Sequence, residues 1–146
     1  MTSPAEAAAD LQPGDRLPGR AKTIFQRALA EREFTADSIH NDDYTKQHGY
    51  PGALISAYVL AGYMSEPMVS FFGSSWFTSG ELSLRFIAPG VQQGDHVTCG
   101  ASVREVQTGS DGEPARLILD VWMEKADGSR PVLGTASAIA GNRHEQ

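Results

Sequence analysis

At 146 residues the chain is the size of one domain and can bury roughly 70% of the surface that its unfolded form exposes. Hydrophobic residues make up 40% and charged residues 21%, an ordinary globular balance, and a net charge of −6 argues against the basic footprint of a nucleic-acid or anionic-membrane binder. The single cysteine, Cys99, rules out an internal disulfide and a thiolate metal site, so a reducing, cytoplasmic location is expected.

Residues 1–13, rich in Ala, Glu and Pro, read as a flexible N-terminal tail, and residues 14–146 as one domain. The opening MTSPAEAAADLQPGD has neither the positive start nor the apolar run of a signal peptide. The longest apolar segment is broken by Ser56, Gly62, Ser65 and Glu66, so no membrane span is expected. From Thr23 to Phe34, TIFQRALAEREF predicts a short strand and a helical turn, with Ile24, Phe25, Ala28 and Leu29 on the buried side. A polar loop over 37–50 leads into ALISAYVLAGYMSEPMVSFFG, which is apolar on nearly every face. That segment predicts a buried helix over 53–64, ended or kinked by Pro67, whose small residues Ala53, Ala57 and Ala61 lie against a flat partner.

The second half has a period of two. Leu82, Leu84 and Phe86 alternate with Glu81, Ser83 and Arg85, and similar patterns run through Val97 to Val103, Leu117 to Met123 and Gly134 to Ala140. The turn signals PGVQQGD, TGSDGEP and ADGSRP separate these strands. One buried helix, then a four-stranded antiparallel meander, with a strand or two before the helix, predicts an α+β domain in which a sheet wraps a central helix: the hot-dog architecture.

Over about residues 14–140 the sequence resembles the MaoC-like hot-dog hydratases and dehydratases. Four pieces carry the resemblance: LQPGDRLP, IHNDDYTKQHGYPGALI, LSLRFIAPGVQQGDHVTCGASVREV and LILDVWMEKADGSRPVLGTASAIA. The second is similar to the family's H-x-D segment and Gly-aromatic turn, the third to its RF-x-x-P strand and GD turn. The family's motif D-x-N-P-x-H pairs a catalytic Asp with a His. Here His40 matches the histidine, but Thr35 stands five residues before it, with Asp37 and Ser38 in the Asn and Pro places. A loop two residues shorter would bring Asp37 into the aspartate's role, and both alignments stay open.

The resemblance implies an acyl-thioester hydratase or dehydratase with His40 and Asp37 as the acid/base pair. An imidazole with an ordinary pKa of about 6.5 exchanges protons near neutrality. Backbone N–H groups at the helix start, those of Gly52 and Ala57, would face the thioester oxygen, because helix N-termini present unpaired donors. Tyr50, Ser56 and Trp76 would line the substrate channel, and Asp42 would support the loop. Taken without the resemblance, Asp37 is a turn residue or helix cap, Asp43 is solvent-facing, and the aromatics are core or interface residues.

His48, His96 and His144 form no metal-ligand pattern, and Cys99 reads as strand packing. No nucleophile elbow, phosphate loop or dinucleotide fingerprint occurs in the sequence. The expected cofactor is therefore none, with the acyl group carried on CoA or on a phosphopantetheine carrier; an acyl carrier protein is a possible partner, nucleic acid and membrane are not. Two alternatives stand beside the hydratase reading: a cyclase, isomerase or thioesterase on the same fold, and a silent acyl-binding subunit. An open sheet edge and an incompletely covered helix predict a homodimer.

Overall fold

The computed structural model describes residues 10–26, 42–49, 54–88 and 90–140. Five strands form one antiparallel sheet: β1 (Arg20–Thr23), β2 (Glu81–Phe86), β3 (His96–Gln107), β4 (Arg116–Lys125) and β5 (Val132–Ile139), in the order β1-β3-β4-β5-β2. Three helices accompany them: α1 (Asp42–Gln47), α2 (Ala57–Phe72) and α3 (Ser74–Ser79). Before the sheet begins, Leu11 already packs against the core and Gly14 donates its N–H to the Val103 carbonyl.

Period-two patterning decides which face of the sheet is buried. Val97, Cys99, Ala101 and Val103 on β3 lie beside Met123, Val121 and Leu119 on β4, and these beside Val132 and Ala136 on β5. All are buried, and they meet α2 through Leu60, Met64, Met68 and Phe72. Those four helical residues are spaced by four, which puts them along one side of the helix.

The structure corrects five sequence expectations. The helix is later and longer than 53–64. Leu54 bridges Gln92 and Ile55 donates its N–H to the Val91 carbonyl, so these residues are extended and α2 begins only after the extended Ser56. Pro67 lies inside the helix and does not end it. A proline costs a helix interior roughly 3 kcal/mol; burying Met68 and Phe72 beyond it contributes about 1.5 to 3 kcal/mol each and offsets that.

The small-residue stripe does not face the sheet either: Ala57 is exposed and Ala61 half-buried, because the long side chains at 60, 64, 68 and 72 fill the space between helix and sheet. Ala53 lies outside the described residues. Phe25 is 61% exposed while Ile24 is fully buried, as adjacent residues of an extended segment point opposite ways. Ala28 and Leu29 lie outside the described residues.

Finally, only β3, β4 and β5 form a meander. β2 pairs with β5, from Glu81 opposite Ser137 to Phe86 opposite Val132, and so becomes the far edge. The connection after β2 cannot be a hairpin, because it sends Val91 into the core and crosses the molecule to reach β3.

Candidate functional site

Three segments meet at the start of α2. Ile24 donates its N–H to the Asp95 carbonyl at 2.9 Å, and Gly94 donates to the Ile24 carbonyl at 2.8 Å. Gly94 turns there with φ of 85°, a left-handed conformation that glycine adopts without strain. The turn is closed by the Asp95 carboxylate, which accepts the Gln92 N–H at 2.9 Å and pairs with Lys125 Nζ at 3.1 Å.

Gln26 and Gln93 exchange two bonds: Gln26 N–H to Gln93 Oε1 at 2.7 Å, and Gln93 Nε2 to the Gln26 carbonyl at 2.9 Å. The Gln26 side chain then turns to the helix, where its Oε1 accepts the Ser56 N–H at 2.7 Å. The N–H groups of Ala57, Tyr58 and Val59 precede the first bond into the helix, from Leu60 N–H to the Ser56 carbonyl at 3.2 Å. This end of α2 therefore presents backbone donors and a partial positive charge. It is also aromatic, with Phe25 beside it and Tyr58 90% exposed.

Of the residues expected at the site, Ser56 and Ala57 lie here. The Ser56 N–H is already committed to Gln26, which leaves Ala57 as the first donor of the expected set in the described residues. Asp42 is the first residue of α1. Asp37, His40, Tyr50 and Gly52 lie outside the described residues. Trp76 does not join them. It stacks on Phe72, with ring centroids 6.1 Å apart, at the opposite end of a helix of 16 residues, roughly 24 Å long. It therefore lies apart from Ser56 and Ala57.

Burial pushes the Cys99 thiol up to about 11, with the Glu66 charge adding to the effect, so it is no nucleophile. The Lys22 hydrogen bond holds the Glu66 carboxyl below its ordinary value. A groove of about 800 Å³ opens on the sheet face away from α2, between Arg16, Arg85 and Trp122. Among the described residues no group of three His, Cys, Asp or Glu is placed to hold a metal ion, and no helix is long and apolar enough to cross a membrane.

No family model matches the sequence, and no curated protein does. Solved structures do match. An (R)-hydratase from A. caviae involved in PHA biosynthesis superposes with a TM-score of 0.68 at 18% identity, over 90% of this chain and 98% of that one. A MaoC-like dehydratase from Rhodospirillum rubrum gives 0.69 at 17% identity, over 92% and 96%. The ChsH1-ChsH2 complex from Mycobacterium tuberculosis gives 0.67 at 20% identity, over 89% and 98%. The chain has the hot-dog fold. In this hot-dog domain the Gln26, Ser56 and Gln93 contacts fix where α2 starts relative to the sheet. Sequence reasoning missed Gln26 and Gln93: Gln93 stands inside the turn signal PGVQQGD, but no local pattern marks contacts that reach 30 and 67 residues along the chain.

Proposed function

We propose that the protein is an acyl-thioester hydratase or dehydratase, adding water to, or removing it from, an enoyl group on CoA or a phosphopantetheine carrier. The observation that carries this reading is the superposition of about nine-tenths of the chain on a hydratase and a dehydratase that are themselves covered almost completely. His40 in the segment IHNDDYTKQHGYPG supports it.

In the hydration direction, His40 takes a proton from water as the oxygen bonds to C3 of the enoyl group. The C2–C3 π pair moves to C2 and onto the thioester oxygen. N–H groups at the start of α2 stabilise that enolate-like oxygen. The imidazolium of His40 then gives its proton to C2, which completes the addition and restores the neutral base, with Asp37 orienting the imidazole or sharing the water. The proposed assembly is a cytoplasmic homodimer joined along β2.

A second reading is favoured by Thr35, which stands where the family motif has its aspartate. In that reading the domain binds an acyl group without turning it over and supports another chain.

The purified protein assayed against a panel of enoyl and 3-hydroxyacyl thioesters, beside His40→Ala, tests both. Turnover that disappears in His40→Ala at unchanged melting temperature supports the first. Binding without turnover supports the second. Turnover per folded molecule retained in His40→Ala removes His40 from the chemistry.

A further inference from the structure

The sheet face away from α2 carries a local inversion of charge. The chain has a net charge of −6, yet the groove of about 800 Å³ on this face is lined by Arg16, Arg85, Arg104 and Arg130, with Asp120 the one carboxylate of the lining. Two of the guanidiniums are matched: Arg104 Nε donates to Asp120 Oδ1 at 2.8 Å, and Arg130 Nε to Glu124 Oε1 at 3.0 Å. Arg16 and Arg85, both exposed, have no carboxylate within ion-pair distance among the described residues. The groove thus holds uncompensated positive charge.

Strand register explains why these groups gather. Ser102 on β3 lies opposite Asp120 on β4, Asp120 opposite Thr135 on β5, and Thr135 opposite Ser83 on β2, while Arg16 bridges Ser102. A polar row therefore crosses four strand spacings, about 19 Å, with hydroxyls between the charged residues. Beside that row Trp122 lies against Gly100, where a Cβ would come within 2.5 Å of the indole. Arg130 stands 4.4 Å and Arg16 5.7 Å from the indole centroid, so one buried ring holds two guanidiniums in place by cation–π attraction.

We propose that this groove is a binding site for a small organic phosphate carrying two or more negative charges, held by Arg16 and Arg85 with Arg130 and the hydroxyls of the row beside them. Guanidinium forks and hydroxyl donors together match phosphoryl oxygens. The volume falls within the roughly 300 to 1,000 Å³ of small-molecule sites. A second copy of this chain fits poorly, because a two-fold contact would bring two sets of unmatched arginines together. A large acidic protein would meet the opposing field of the net charge, whereas a small anion within a Debye length, about 8 Å, senses the arginines alone. The site lies across the sheet from α2 and does not rest on the hydratase or dehydratase reading.

Titration calorimetry of the whole chain with pyrophosphate at physiological salt should show saturable binding, tighter than that of inorganic phosphate. Arg16→Ala and Arg85→Ala should each weaken it by about tenfold, the scale of one charge-assisted hydrogen bond. Asp120→Asn, which removes the competing carboxylate and frees Arg104, should tighten it by about threefold. A merely structural role for these residues predicts no such gain. Melting temperatures accompany each variant, and the exposed Arg85 carries the test should Arg16→Ala fail to fold. No binding of pyrophosphate at millimolar concentration overturns the proposal, as does parental affinity in folded Arg85→Ala. A hexaglutamate peptide that binds more tightly than pyrophosphate also overturns it, and makes this face a docking surface for an acidic protein.

Discussion

Lys22 Nζ lies 2.6 Å from Glu66 Oε1, and Arg20 Nη1 reaches the same oxygen at 3.3 Å, so one carboxylate on α2 holds two cations of the edge strand β1. Arg20 also bonds the Ser70 hydroxyl, one turn further along the helix. These contacts set α2 alongside the edge strand while its apolar side covers the sheet.

The Glu66 carboxyl titrates below its ordinary value of 4.5, chiefly through the Lys22 hydrogen bond. A carboxylate with a lowered folded-state pKa stabilises the fold above its unfolded value, and that contribution is lost as pH falls through the folded one. Glu66→Gln should therefore melt slightly below wild type at neutral pH, by less than about 1 kcal/mol because the pair is partly solvated. The difference should shrink as pH drops below 4.5. A difference that persists in acid would show that packing, not charge, is lost.

Met64→Ala should destabilise the protein by about 2 to 5 kcal/mol, since it leaves a cavity at a buried contact between helix and sheet. Ala57→Leu, at an exposed position, should change stability by less than about 0.5 kcal/mol. Denaturant midpoints of the two variants check both. Equal losses would mean that Ala57 is covered in solution.

Asp37→Asn should lower turnover by about 10²-fold or more if Asp37 is the partner of His40. A parental rate would favour the alignment that puts Thr35 in the aspartate's place.

The Cys99 thiol, pushed up to about 11 by burial, should resist alkylation at neutral pH in the folded protein and react once denatured. Mass spectrometry after iodoacetamide treatment, with and without urea, checks this. Rapid labelling of the native protein would show that β3 opens locally.

Sedimentation should give a species of twice 15.7 kDa at micromolar concentration. Phe86 at the end of β2 is 45% exposed, and Phe86→Asp should shift that species towards the monomer, as a charge beside an open edge opposes strand pairing. A stable wild-type monomer at that concentration would overturn the proposed dimer.

The buried faces of β3, β4 and β5 were legible in the sequence because a half-buried strand writes its burial every second residue, as Val97, Cys99, Ala101 and Val103 do. The place of β2 was not legible. Its own alternation predicts a strand, but pairing with β5 rather than β3 depends on where the chain from Ile87 to Asp95 travels. The helix ran past Pro67 because buried side chains on both sides of it outweigh one lost N–H bond. His40, singled out by motif, lies outside the described residues; at the start of α2, Ser56 could be singled out by position. Gln26 could not, since an acceptor that reaches 30 residues forward leaves no local mark.

The two margins of the sheet differ in kind. β1 is four residues long and carries two cations locked to α2, whereas β2 is six residues long and bears no such cover on its outer side among the described residues. In the proposed dimer, strand addition would use the β2 side alone. A building block with a single sticky side cannot polymerise: the first joining event uses up the one available margin on each copy, and growth stops at two. In that dimer, asymmetry between margins would act as a terminator, guarding a chain rich in alternating apolar residues against the open-ended stacking that two bare margins would permit.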